Sequence, residues 1–461
     1  MGYSFSIIHA LAYSFIGMQT LYLATHFNPV YWNTAYLIVN TGAIDEGEGV
    51  STDYTKLAKA IGEIRNAGIK VSLVDINKSS FGFKPDVENN QILFGLKGLQ
   101  NINDDLITTI IANRPYVSLY DFMNRVGAGK QAMIALIKGG AFDCFMSRYE
   151  AMVEYIWMTC DRKKRLTLQN LPGLIRNNLL PQDTEERVTA RRIYEFNRYL
   201  KAECKADTYF ILDTRAEEFI YEMGYEDLIT WYPDYKATLD FKQWDKVYQQ
   251  WMDIFRAWIK SDTEGILNKL NTTIFMQDWN KYAKGNISSW EMEALCFYYH
   301  EHELAHVDNS KYGFSDFFEL SEIPVVEKYF KRNGSNIPIF KLFTICGTCI
   351  AKNKTKSTVY LLTTSGVVPV KFRQEYFGLF DRQTFKYNED GTKSVVEKSW
   401  FNRGNMIVVQ GIRRADEFIP KKYASSTRHQ LYHIDEVKAD GSLILRSDRY
   451  SGEEDSEDND N

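Results

Sequence analysis

The chain has 461 residues, 44% of them apolar and 25% charged, with a formal net charge of −5. That length allows two to four domains with substantial cores, and the composition excludes collagen-like, low-complexity and disulfide-framework classes. Six cysteines (Cys144, Cys160, Cys204, Cys296, Cys346, Cys349) lack a framework spacing, which points to reduced, cytosolic thiols. The charge is uneven. Between Lys341 and Tyr450 there are 19 lysines and arginines against 11 aspartates and glutamates, whereas the tail from Ser451 to Asn461 carries six carboxylates and no base. One basic module therefore sits in an otherwise acidic chain.

Residues 1–85 read as helices followed by a short extended piece. No Asp, Glu, Lys or Arg precedes Asp45, and Ser6 to Ala24 is largely apolar. A signal peptide wants a basic start and a membrane helix basic flanks on one side. This run has neither, is interrupted by His9, Gln19 and His26, and stops at Asn28-Pro29. A core helix is expected, with its missing partner surface on another chain or domain and no membrane involved. Leu57, Ile61 and Ile64 recur at helical spacing within Lys56–Asn66, Gly68 suits the C-cap, and Gly68 to Asn77 reads as extended.

Residues 86–145 hold short helices punctuated by glycine, and 146–335 are aromatic-rich and mostly helical. There Trp244, Val247, Tyr248, Trp251, Phe255 and Trp258 repeat at helical spacing, a stripe that predicts packing against neighbouring helices. Residues 336–450 switch to period-two patterning. Strand-like runs fall at Pro338–Ala351, Ser357–Thr363, Val367–Phe372, Met406–Ile412, Gln430–Val437 and Ser442–Leu445, with a helical interruption near Gln374–Phe380. Five or six short strands of this kind predict a small Greek-key barrel of the OB type. Residues 451–461 are expected to be disordered. The fold class expected is α+β multidomain: a mainly α-helical amino-terminal three-quarters containing a tandem helix-hairpin-helix module, then a carboxy-terminal OB-type β-barrel.

His302-Glu303-Leu304-Ala305-His306 satisfies HExxH, which on a helix would offer two imidazoles to zinc and a carboxylate as base. The extended metallopeptidase pattern fails at Asn309, so a zinc metallopeptidase stands as an alternative and a solvated helix end as the plainer reading. Cys346-Gly-Thr-Cys349 is a lone CxxC in an apolar strand and reads as two buried cysteines. Phe94–Ile102 and Lys130–Asp143 together read as two hairpins. In such a module Gly98 and Gly139 would bring backbone to DNA phosphates, with Lys97, Lys130 and Lys138 alongside. Gln100 stands where a second hairpin glycine is usual. In the barrel, Lys352, Lys354 and Lys356 share one loop, Lys371 and Arg373 flank Phe372, Arg413 and Arg414 end a strand, and Lys421 and Lys422 lie in the next loop. Basic loops beside aromatic strand faces (Tyr360, Phe372, Phe401, Phe418) suit single-stranded DNA, where cations neutralise phosphates and rings stack bases.

The string from Gly2 through His9-Ala-Leu-Ala-Tyr13 to Gln19 resembles the fingers signature of the bacterial and phage DNA polymerase III alpha subunit, a C-family replicative polymerase. The resemblance continues through Val74-Asp75-Ile-Asn77 with Ser79 and Ser80, where Val74 replaces the family's proline, and through Ile92–Gly98 and Leu136–Asp143. It returns at Glu291-Met-Glu-Ala-Leu-Cys-Phe-Tyr, where the family has Gly in place of Cys296. It implies partial fingers over 1–85, with His9 and Tyr13 near the incoming nucleotide, and a hairpin module over 86–145 gripping duplex DNA. An aromatic-rich helical region over 146–335 follows, and then an OB-fold over 336–450 engaging single-stranded template. A clamp-binding peptide is implied too, and Gln374–Phe380 has that general look, with packing inside the barrel as the competing account. The family's palm holds Mg2+ on closely spaced aspartates, and no segment of this chain matches that palm. The chain is thus expected to bind DNA, to need a palm-containing polypeptide for synthesis, and to work in the cytoplasm of a bacterial or phage-infected cell. A stand-alone DNA-binding protein is the alternative.

Overall fold

The computed structural model describes residues 7–43, 51–200, 209–231, 236–332, 335–387, 393–423 and 428–450. The acidic tail lies outside these residues. The chain forms two compact units, one of Met1–Met152 with Gly285–Asn461 and one of Val153–Lys284.

In the first unit, helices run over Ile7–His26, Pro29–Thr41 and Tyr54–Asn66. Asn28-Pro29 ends the first and starts the second: Asn28 Oδ1 accepts the Val30 N–H, and proline sits where a helix needs no N–H. Ile7–His26 forms as the apolar run predicts, but none of its residues is buried. It is the one helix among the described residues long and apolar enough to cross a membrane. The core expected for it is not supplied by the described residues, which leave all of its side chains unburied.

A small sheet follows, with strands Lys70–Val71, Gln91–Leu93 and Lys84–Asp86 in that order. The helices of the hairpin module are Asp104–Ala112, Leu119–Val126, Lys130–Lys138 and Arg148–Thr159. Asp75-Ile-Asn77 ties the two parts together. Asp75 Oδ1 accepts the Asn77 and Lys78 N–H groups at 2.8 and 3.1 Å, while Asn77 exchanges two hydrogen bonds with the Tyr116 backbone. Arg114 donates to the Ile76 and Ser79 carbonyls. The motif is a latch between residues 75–79 and the segment Arg114–Tyr116 that joins the first two of these helices.

The carboxy-terminal barrel has strands Phe343–Asn353, Thr358–Leu362, Val367–Lys371, Met406–Arg414 and Glu417–Pro420. The first pairs with the second and the fourth, the second also with the third, the third runs parallel to the fifth through Val370 and Phe418, and the fifth closes onto the fourth. Leu431–Val437 and Leu443–Arg446 extend the sheet from the fourth strand. Helix Gln374–Asp381 follows the third strand, as in an OB-fold, and buries Phe377 and Phe380 in the barrel. The fold is thus α+β with helix-hairpin-helix and OB-like parts, in the expected order. Among the unexpected strands is Glu417–Pro420, four residues ending in proline, which carry too little pattern to mark a strand alone.

In the second unit, helices Glu185–Tyr199, Phe241–Ser261 and Thr263–Tyr282 enclose one core. Trp244, Trp251 and Phe255 are buried there, and Val247, Tyr248 and Trp258 pack against it, so the aromatic stripe is structural.

Candidate nucleic-acid interface

The two hairpins lie side by side beneath helix Ile287–Leu295. Gln100 N–H donates to the Ala294 carbonyl, and a Cβ at Gly139 would meet Leu99 Cδ2 at 2.6 Å and approach Leu295. Glycine at 139 is needed here for this close packing, and Gly98, also buried, faces the Phe94 ring. Lys97 is ion-paired with Asp104, and Lys138 with Glu293. Both lysines are buried, so their charges are neutralised inside the protein. Lys130 is half-buried at the start of its helix.

Behind the hairpins, Glu291 is fully buried and organises the motif that carries it. Its carboxylate accepts from Arg148 Nη1 at 2.8 Å and from the backbone N–H groups of Tyr299 and His300 at 2.8 and 2.9 Å, and its Oε1 lies 2.6 Å from His300 Nδ1. Cys296 follows the helix with φ 65°, the left-handed conformation that suits the glycine expected there from the resemblance. Gln100 Nε2 donates to Cys296 Sγ. The two positions at which this chain departs from a glycine of the family pattern are therefore in contact.

HELAH 302–306 is a turn rather than a helix. His302 is largely buried; its Nδ1 accepts the Leu304 N–H at 3.0 Å, and Nε2 donates to the Leu362 carbonyl at 3.0 Å. Burial holds its pKa down to about 4. With both ring nitrogens engaged and no helix to align His306, the zinc reading fails geometrically. His306 instead pairs with Glu301 in solvent. Among the described residues, no three His, Cys, Asp or Glu side chains are grouped to hold a metal. Cys346 and Cys349 point to different hydrophobic clusters on opposite faces of their strand.

In the barrel Phe372, just after the strand Val367–Lys371, Phe401, in a turn, and Phe418, on the strand Glu417–Pro420, are all core. They are not stacking surfaces, which corrects the expectation for Phe372, Phe401 and Phe418. Tyr360 lies on the outer face, against helix Tyr54–Asn66. It shares a cleft of about 380 Å³ with Lys56, Lys59 and Lys352. Lys56 and Lys59 were not anticipated, although their i, i+3 spacing on the polar side of a helix is legible. Lys352 is bound by Asp381, Ser399 and Asn402, and Arg413 is buried, donating to the Phe317, Phe318 and Leu320 carbonyls. Both roles are structural.

The remaining cations face solvent. Lys354 and Lys356 are exposed on the loop between the first two barrel strands, Lys354 lying 3.6 Å from Asp381. Arg373, Lys421 and Lys422 line one cleft of about 420 Å³ with Tyr376. Lys371 pairs with Glu417 at 3.5 Å while half exposed, and Arg414 is exposed. His9 and Tyr13 lie about one turn apart on the exposed first helix.

Comparison with known proteins agrees with this arrangement. A family model described as a helix-hairpin-helix motif matches residues 68–151. Over 465 aligned residues, 97% of this chain, the sequence is 39% identical to the probable DNA polymerase YorL of Bacillus subtilis strain 168. The same figures hold for a DNA-directed DNA polymerase of Bacillus phage SPbeta. The DNA polymerase III subunit alpha of Thermus aquaticus is 35% identical over 153 residues, 32% of this chain and 12% of that protein. Over about a third of its residues this chain is thus similar to part of a DNA polymerase III alpha subunit. It spans about a third of the length of its Bacillus and phage relatives, 35% in each case. The similarity to those two covers nearly all of this chain, including the unit Val153–Lys284, whereas the similarity to the Thermus subunit covers about a third of it.

Proposed function

We propose that this chain is the DNA-holding portion of a replicative polymerase of the DNA polymerase III alpha type, acting in the cytoplasm with a palm that lies outside these residues. The similarity along 97% of the chain to two DNA polymerases carries the reading. The hairpin module and the OB-like barrel support DNA as the partner. On the barrel we assign the contact to Lys354, Lys356, Lys371, Arg373, Arg414, Lys421 and Lys422, whose side chains reach solvent; Lys56 and Lys59 extend it across the neighbouring cleft. Each neutralises phosphate without reading sequence, as a polymerase moving over any template requires. We assign His9 and Tyr13, on a helix left exposed by the described residues, to the nucleotide pocket that a palm would complete.

Two-metal phosphoryl transfer needs carboxylates that hold magnesium between the attacking and leaving oxygens. Those carboxylates belong to the palm, and the residues here bind and position the nucleic acid. The test is primer extension. The chain is added to a palm-containing polypeptide of the same family on primed template. Incorporation is expected to rise above that of either protein alone. No gain would reject the polymerase reading and leave a stand-alone DNA-binding protein.

A further inference from the structure

The second unit contains a cation-lined cleft that none of the foregoing uses. Residues 153–284 carry 20 lysines and arginines and 21 aspartates and glutamates, an even balance. Around one cleft of about 910 Å³ that balance breaks: Arg162, Lys163, Lys164, Arg165 and Arg176 line it against a single carboxylate, Asp161.

The four consecutive cations lie on a loop that is held in place. The Lys163 N–H donates to Asn271 Oδ1 at 2.7 Å, and Asn271 Nδ2 donates back to the Lys163 carbonyl at 3.0 Å. That two-bond clasp ties the loop to helix Thr263–Tyr282. Arg176 comes from the facing wall, the helix Leu171–Arg176, and Gln277 joins the walls by donating to Asn177 Oδ1 at 2.7 Å. Asp161 is occupied by Lys163 at 2.5 Å. Lys164 and Arg165 have no ion pair with any described residue, and Arg176 has one bond, to the Pro172 carbonyl. All three are exposed.

Like charges confined to a concave surface repel one another and focus a positive potential, which an anion with regularly spaced charges relieves. A free surface run would splay its side chains into water; this one is clasped across a cleft from a fifth cation. No aromatic ring lines the cleft. Single-strand sites combine cations with stacking rings, whereas duplex backbone is held by cations and amides alone. We propose that this cleft binds the phosphodiester backbone of duplex DNA, a second DNA contact separate from the barrel and hairpins. The choice of DNA as ligand rests on the polymerase reading; the cleft's affinity for a polyanion does not.

The experiment uses the full chain and a blunt duplex of about 20 base pairs, with fluorescence anisotropy over a salt series. The variant Lys164→Ala/Arg165→Ala/Arg176→Ala removes only exposed charges. The expected result is at least a tenfold loss of duplex affinity near 0.1 M salt, with the slope of log K against log salt falling by roughly 2 to 3. The matched variant Lys242→Ala/Lys246→Ala/Lys260→Ala, on the exposed side of helix Phe241–Ser261, should change both far less. Unchanged duplex affinity and slope, a loss confined to single strands, or an equal loss in the matched variant would each overturn the proposal. If the cleft variant is silent while Lys354→Ala/Lys356→Ala weakens single-strand binding, the cleft proposal falls and the polymerase reading stands.

Discussion

Glu291 and Arg148 show how one buried ion pair can hold a functional module together. The Arg148 side chain is 4% exposed and that of Glu291 0%, and Arg148 also reaches Asp143 and the Lys138 carbonyl. Removing one member strands the other charge, which typically costs about 3 to 5 kcal/mol. Arg148→Met should therefore lower unfolding free energy by about that amount in urea titrations, and a change under 1 kcal/mol would show that the Tyr299 and His300 N–H groups suffice for Glu291. His302 makes the residue scale testable by pH. Its pKa is held near 4 against an ordinary value of 6.5, so the folded state binds fewer protons than the unfolded state between those values. The stability it supports is present above pH 6.5 and declines as pH falls toward 4. Between pH 7 and pH 5 the loss should be about 2 kcal/mol. His302→Gln, which can keep both hydrogen bonds, should remove that part of the pH dependence; an unchanged pH profile would contradict the assignment.

At the scale of elements, the barrel turns on which face of a strand a side chain takes. Alternation in Val367–Lys371 and Glu417–Pro420 sends every second residue inward, so Phe418, and Phe372 in phase just beyond its strand, are core where they read as stacking platforms. The loop after the first strand kept its cations in solvent. Lys354→Ala/Lys356→Ala should weaken single-strand binding several-fold and reduce the salt slope by roughly 1.4, about 0.7 for each phosphate contact. Equal affinity and slope would move the interface elsewhere, with the cleft of Arg373, Lys421 and Lys422 next to test. Helix Gln374–Asp381 illustrates the same logic: Phe377 and Phe380 are buried in the barrel, so the segment with a clamp-peptide look is held by packing.

At the scale of the whole molecule, the chain leaves its first unit after Met152 and returns at Gly285. The excursion has its own core, where Trp244 packs edge-on to Trp251 at 5.5 Å and against Phe196 at 5.5 Å. Residues 153–284 expressed alone should unfold cooperatively with a tryptophan fluorescence change; a gradual, featureless melt would show that the core needs the rest of the chain. Local pattern in the sequence was enough to mark the amino-terminal helices, the aromatic stripe and most barrel strands, because periodicity and capping residues report which face is buried. The family resemblance was legible because its motifs are short and contiguous. What only the tertiary structure decided depends on pairings far apart in sequence. Glu417–Pro420 is a strand because Val370 lies beside Phe418, and Lys97, Lys138 and Arg413 are structural because carboxylates and carbonyls come to them from other segments. Composition located the one basic module; folding determined which of its charges remain in water.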